Sequence, residues 1–281
     1  MKSILISGVS TGIGYDAVRY FTSKGFRVFG SVRKPEDKSR LEEQFPQNFH
    51  ALLFEVRDRA AIDEAVKEVE TILAGELLTA IVNNAGIAVV GPIQLLDGDS
   101  FERQLTINLF GMRNVTNAFL HLLGATHDRL PGQKPGKIIN MSSISGVFNT
   151  PMNGSYCVAK HAMESLGEVY RRELSIYGID VISIQPGPIQ SEIWVKSDDE
   201  MAPFRDSDYK TMIERTEEML EHASQNAQPA EVISKLIHKI IESERPRTAY
   251  IVHTNKLLAK VLAHWLPARL VDRILKKKLN Q

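Results

Sequence analysis

Tyr156 and Lys160 stand one helical turn apart, and Ser143 lies thirteen residues before the tyrosine, after an apolar stretch that reads as a strand. Such a triplet moves a proton on and off a carbonyl oxygen. A phenol ionises near pH ~10, too high for acid–base work at neutral pH unless a nearby positive charge favours the phenolate. Positions i and i+4 share one helix face, so the Lys160 ammonium is placed to supply that charge, and the Ser143 hydroxyl to hold a substrate oxygen beside it. Tyr20 and Lys24 repeat the spacing. Only the elements around each pair separate them.

Those elements alternate. Ile4 to Ile6, Arg27 to Ser31, Ala51 to Glu55, Ala80 to Asn83, Lys137 to Asn140, Asp180 to Ile184 and Ala249 to Val252 read as seven short strands. Longer segments between them carry one apolar face, as in Ile62, Ala65, Val66, Val69, Ile72 and Leu73. Strand–helix alternation implies right-handed crossovers and a parallel sheet covered on both sides, an α/β doubly wound fold of Rossmann type. Residues 1–281 read as one domain. Pro131, Gly132, Pro135 and Gly136 mark a surface loop before the fifth strand. A second interruption, residues 191–228, separates the sixth strand from a helix opening at Pro229 and is too long for an ordinary connection. It reads as a substrate lid.

Composition narrows the partners. With 34 basic and 34 acidic residues the chain has no global field to recruit nucleic acid, and 43% hydrophobic residues are ample for a buried core. A single cysteine, Cys157, excludes an intrachain disulfide and a thiolate metal cluster; it reads as a packed thiol. The eight histidines are scattered without paired ligand spacing, and no metal is expected. The first strand begins too early to leave room for a signal peptide, and no apolar run reaches about 18 residues. A soluble, cytoplasmic protein is the expectation.

Gly8, Gly12 and Gly14 follow the first strand and lead into a helix at about Ile13. Glycine is needed where a chain turns tightly, where backbone approaches a pyrophosphate, and where helix packs close to strand. The helix start then offers free N–H groups and a positive dipole end to phosphates. Tyr20 and Lys24 fall near the far end of that same helix, away from the strand ends where ligands bind, which leaves them a packing role.

The run SGVSTGIG, covering Ser10, Thr11 and Ile13 as well as the glycines, resembles the TGxxxGxG of the short-chain dehydrogenase/reductase family, with Ser7 for the usual threonine. NNAG at Asn83 to Gly86, Asn108 in INLFG, Ser143 in NMSSISG, YCVAK from Tyr156 to Lys160 and PGPIQS from Pro186 to Ser191 follow in family order. The resemblance implies Tyr156 as general acid–base, Ser143 steadying the substrate oxygen, and Lys160 binding the nicotinamide ribose. Asn108 would help hold a water in the proton relay. Asn84, Ala85 and Gly86 would border the cofactor, as would Pro186, Gly187 and Ile189, and Ser191 would meet the carboxamide. Ser142 lacks the family's spacing to Tyr156.

Cofactor choice turns on the end of the second strand, where an acid would accept hydrogen bonds from the ribose of NAD and an arginine would receive the 2′-phosphate of NADP. Alignment puts Val32 in the acid's place, followed by Arg33 and Lys34, so NADP(H) is expected over NAD(H). A solvated Arg33 with weak selectivity is the other reading. Glu55, before Val56, departs from the aspartate usual at the adenine contact.

Met201, Phe204, Tyr209, Met212, Ile213, Met219 and Leu220 give the insertion an apolar side, fit either to close a pocket or to pack on the core. In the tail, residues 256–281, Leu257, Leu258, Val261, Leu262, Trp265 and Leu266 form a stripe opposite Lys256, Lys260 and His264; after Pro267 it resumes at Leu270, Val271, Ile274 and Leu275. Such a tail covers a core or a subunit contact, or lies on an anionic membrane. A hydrophobic secondary alcohol, ketone or aldehyde is the favoured substrate class, with hydroxysteroid-like and retinoid-like compounds among the family's. Family likeness also implies a homodimer or homotetramer, with the helices around Asn108 and after Tyr156 as the contact. Two rivals remain: a dinucleotide-sensing or scaffold protein on the same fold, and a reductase working at a membrane surface.

Overall fold

A computed structural model describes residues 1–190, 200–254 and 266–279. Seven strands form one parallel sheet in the order β3-β2-β1-β4-β5-β6-β7. They are β1 Ser3–Ile6, β2 Arg27–Val32, β3 Phe49–Leu53, β4 Ala80–Asn83, β5 Lys137–Met141, β6 Asp180–Pro186 and β7 Ala249–Val252. The sequence places the third strand two residues too late. It starts at Phe49 because Asn48, in the left-handed region at φ 62°, ends the preceding turn and its carbonyl accepts from Val28 N. Glu55 therefore lies beyond the strand, not in it.

Successive side chains of a strand point to opposite faces, so this sheet carries two cores. Ile4, Ile6, Val28 and Val82 share one with Ala17, Val18 and Phe21 of α1 (Gly12–Ser23) and with Ile233, Ile237 and Ile240 of the helix Glu231–Glu242. Leu5, Phe29 and Ile81 share the other with the expected face of α3 (Arg59–Leu73), together with Val115 and Phe119 of α5 (Gly111–Phe119). Only Ile72 of that face is left partly exposed. Tyr20 and Lys24 pack as expected: the Tyr20 hydroxyl lies 3.1 Å from His238 Nδ1, and Lys24 Nζ stands 5.7 Å from the Tyr20 ring centroid.

Between β1 and β4 the strand order reverses, which opens a crevice at the carboxyl ends of the strands. Three elements converge on it: α1, α4 (Gly98–Leu105) with the π-turn Thr106–Phe110, and α6 (Gly154–Glu173).

The insertion begins and ends at one point, because Gln190 N donates to the Gln228 carbonyl at 2.9 Å and Gln228 N to that of Pro188 at 3.0 Å. Its helix, Lys210–Gln225, buries Ile213 with Met201, Val90 and Met152, and Phe204, Tyr209, Met212 and Leu220 pack against them. Met219, placed on that apolar side by the sequence, is instead 45% exposed. Glu200 ties the insertion down by accepting from Val90 N at 3.0 Å. The tail helix Ala268–Leu279 lies against the insertion helix and buries Leu279, while Leu270 and Ile274 stay exposed. Leu257, Leu258, Val261, Leu262 and Trp265 of the tail's apolar stripe lie outside the described residues.

Candidate active site

The phosphate cradle is built from β1, β2 and β4 together. Gly8 and Gly12 adopt the left-handed region, at φ 71° and 58°. A Cβ at Gly14 would overlap the Gly8 carbonyl oxygen and stand 2.7 Å from Asn84 Nδ2. Ser7 Oγ, buried, accepts from Asn84 N and Ala85 N at 3.0 Å each, and Asn84 Nδ2 donates to the carbonyls of Ser7 and Gly8 at 3.1 and 2.8 Å. Ser31 Oγ accepts from Gly8 N at 2.9 Å. Loop and NNAG segment are thereby one rigid piece, and the Asn84 amide is engaged in holding it. Thr11 stands at the N-cap of α1 with extended backbone, and its hydroxyl makes no bond to the first-turn N–H groups. Ser10 and Ile13 flank them, partly exposed. These residues fit a dinucleotide's pyrophosphate.

Around the cradle, Arg33 is exposed one residue past β2, and Arg40 of α2 (Pro35–Gln44) reaches back to the Ser10 carbonyl at 2.9 Å. Glu55 pairs with Arg57 at 2.5 Å, and the carbonyl of buried Val56 accepts from Asn114 Nδ2 at 3.1 Å. Pro186 ends β6; Gly187 N donates to Val252 O at 2.8 Å, and a Cβ there would overlap the His253 ring. Ile189 is buried and bridges to Gln228. Gly86 faces the Asn108 side chain. Ser191 lies outside the described residues.

Asn108 and Gln104, one turn apart, do something the sequence did not disclose. Asn108 Oδ1 accepts from Ile87 N and Nδ2 donates to Ile87 O, both at 2.9 Å; Gln104 accepts from Val89 N at 2.7 Å and donates to Ile87 O at 3.0 Å. Two side-chain amides thus stand in for a neighbouring strand and hold the segment that follows β4. The Asn108 amide thereby commits one N–H and one lone pair to Ile87.

Ser143 caps a short turn after β5, Ile144–Gly146, its hydroxyl accepting from Ser145 N at 3.1 Å and standing on the same side as the Tyr156 hydroxyl, whose ionisation it favours. Lys160, 5% exposed, donates to the Met141 carbonyl at 2.7 Å, with Nζ 5.5 Å from the Tyr156 ring centroid. The three side chains do converge. Their electrostatics differ from the expectation, however. Burial pushes the Tyr156 phenol up to about 12, with the Ser143 hydroxyl opposing it, and burial brings Lys160 down to about 8, with Glu164 opposing. Spacing showed the cation beside the phenol but not the low dielectric around both, which favours their neutral forms. Without cofactor, Tyr156 is therefore a proton donor in waiting. Cys157 is a packed thiol, 2% exposed.

Lys160 carries a pH prediction. The unfolded lysine keeps its proton to pH ~10.4, the folded one only to about 8. Between these values the unfolded chain binds more protons, so this group costs stability at neutral pH and the cost fades as pH rises through that window. In urea titrations, Lys160→Met should gain stability at pH 7 and lose the part of the rise towards pH 10 that wild type shows.

Comparison with known proteins decides the family. A family model for short chain dehydrogenases matches residues 2–202. The chain belongs to the short-chain dehydrogenase family. Among relatives of this short-chain dehydrogenase, an NADPH-dependent 3-dehydrocapnine reductase of Ornithobacterium rhinotracheale is 36% identical over 281 residues, covering 100% of this chain and 98% of the relative. Human retinol dehydrogenase 5 is 27% identical, covering 97% and 87%. In fold, a Burkholderia cenocepacia short chain dehydrogenase solved in complex with NADP superposes with a TM-score of 0.71 at 20% identity, covering 100% of both chains. The protein is an oxidoreductase acting on CH–OH groups with a nicotinamide cofactor. Among the described residues no helix is long and apolar enough to cross a membrane, and no group of three or more His, Cys, Asp or Glu side chains converges as a metal site.

Proposed function

We propose that this dehydrogenase interconverts a hydrophobic ketone or aldehyde and its alcohol with NADP(H), Tyr156 acting as general acid–base. The observation that carries the reading is the placement of Tyr156, Ser143 and Lys160 at the end of β5, beside an apolar wall. Ser155, next to the tyrosine, donates to the Val89 carbonyl at 2.7 Å, and the neighbouring Val90 and Met152 form one cluster with Met201 and Ile213 of the insertion. A nicotinamide bound in the crevice supplies or accepts the hydride. The chain does the rest: Ser143 donates a hydrogen bond to the substrate oxygen, Tyr156 gives that oxygen its proton in reduction and takes it back in oxidation, and the insertion excludes water. A screen of cofactor oxidation over apolar ketones and aldehydes tests this. Turnover confined to small polar carbonyls would contradict the substrate class.

The choice of NADP(H) is supported by Val32 in place of an acid, by exposed Arg33, and by the Ornithobacterium relative's NADPH dependence. Arg33→Ala is expected to weaken NADPH binding at least about tenfold, the loss of one charge-assisted phosphate contact, and to leave NADH binding as it was. Calorimetry with both cofactors checks it; equal losses would leave Arg33 a general surface charge.

We also propose a homodimer formed through α6 and the turn at Asn108. Phe110, Val158 and Val169 are 50%, 47% and 41% exposed on these elements. Sedimentation should show Val158→Glu as a monomer where wild type is dimeric.

A further inference from the structure

Arg40 lies on the second turn of α2, in none of the motifs that mark the family, yet its side chain crosses to the phosphate loop. Arg40 Nη2 donates to the Ser10 carbonyl at 2.9 Å and to Asp37 Oδ1, one turn back on its own helix, at 2.8 Å. Nothing else on the guanidinium is engaged. Nε and Nη1 keep their N–H groups without a partner among the described residues, and the side chain is 46% exposed. The cation is thus anchored at the loop with donors to spare.

The place of the anchor matters. Val9 N donates to the Ser31 carbonyl at 3.0 Å and Gly8 N to Ser31 Oγ at 2.9 Å, so Ser10 follows a loop laid along the end of β2. That strand end is where a bound dinucleotide turns its adenosine ribose, and where the charge at the 2′ position is read. Arg33, exposed, stands two residues past Ser31. The helix carrying Arg40 is also fixed to α1, because Gln44 Nε2 donates to the Tyr15 hydroxyl at 2.5 Å and the Phe45 and Tyr15 ring centroids lie 5.8 Å apart. A guanidinium already ordered in this way loses less freedom on meeting a ligand than a free surface arginine does. Asp37 is the acid beside it. A phosphate, as a dianion with several acceptor oxygens, attracts the guanidinium more strongly than that single carboxylate.

We propose that Arg40, held by the Ser10 carbonyl, donates through its remaining N–H groups to the 2′-phosphate of NADP(H) and shares with Arg33 the choice of that cofactor over NAD(H). The inference rests on NADP(H) being the cofactor. An arginine that merely tethered the loop would serve both dinucleotides alike, and this difference makes the role testable.

Calorimetric titration of the full-length protein with NADPH and with NADH reads it without any turnover. Arg40→Ala should weaken NADPH at least about fivefold, the loss of a partly exposed charge-assisted contact, and leave NADH within about twofold of wild type. Arg40→Lys, which keeps the charge, should retain most of the preference. Equal weakening of both dinucleotides, or an unchanged NADPH affinity, overturns the proposal. Should Arg40→Ala not fold, Arg40→Gln decides in the same way: it keeps N–H groups for the Ser10 carbonyl but no charge, so a selective NADPH loss supports the proposal and full NADPH affinity overturns it. Wild type binding NADH as tightly as NADPH would contradict the choice of NADP(H) itself and take this proposal with it. A wild-type preference for NADPH that survives whole in Arg40→Ala would contradict the role of Arg40 alone.

Discussion

Replacing Tyr156 with phenylalanine is expected to lower turnover about 10²–10⁴-fold, the usual worth of a positioned general acid–base, while NADPH affinity stays unchanged. The separation follows from the geometry. The phenol hydroxyl is on α6 on the Ser143 side, whereas the phosphate cradle is held by hydrogen bonds of Ser7, Ser31 and Asn84, at the ends of β1, β2 and β4. Because burial pushes the phenol up to about 12, the hydroxyl at neutral pH is a proton donor, and its removal should harm reduction directly. Steady-state rates with NADPH and an apolar ketone, set beside cofactor calorimetry, give both halves of the result. Loss of NADPH binding together with activity would mean that the variant had disturbed the fold.

The second large effect is at Gly14. A methyl there meets backbone, the Gly8 carbonyl oxygen, with the Asn84 amide at 2.7 Å behind it, so no flexible side-chain end can yield. Overpacking of this kind costs typically 1–3 kcal/mol. Relief requires the loop to leave Asn84, and with it the arrangement that receives phosphate. Gly14→Ala should therefore raise the dissociation constant for NADPH at least about tenfold. Gly25→Ala is the control. That residue has φ 75° but nothing within 4 Å of a Cβ, so it should lose about 1 kcal/mol of stability from the strained backbone and keep its cofactor affinity. Equal affinity losses in both variants would argue that general destabilisation, and not the cradle, was being measured.

Much of this site is legible in the chain because its determinants are local. Glycines at fixed offsets after a strand dictate a turn and a helix start whatever surrounds them, and Tyr156 and Lys160 share a helix face by periodicity alone. The resemblance prefers Ser143 to Ser142 by its spacing to Tyr156. What the chain concealed depends on distant groups. The phenol's rise against the expected fall reflects the desolvation of Tyr156 and Lys160, and desolvation is a property of the packed fold. That the Asn108 side chain ties down Ile87, twenty-one residues earlier, shows only in the folded chain. The Gln104 and Asn108 pair, at i and i+4, was the signal available for that role. Ser7 and Ser31, polar residues at the ends of otherwise apolar strands, were a similar signal for the cradle's ties. The third strand slipped by two residues because nothing in PQNFH announces the left-handed Asn48.

The central claim is hydride transfer to an apolar carbonyl with Tyr156 supplying the proton. The most direct measurement uses NADPH deuterated at the transferred position and mass spectrometry of the alcohol formed from a panel of hydrophobic ketones and aldehydes. Wild type should place one deuterium on the carbinol carbon and Tyr156→Phe almost none, with both proteins saturated by cofactor. Tight NADPH binding with no deuterium transferred by wild type to any member of the panel would contradict the account.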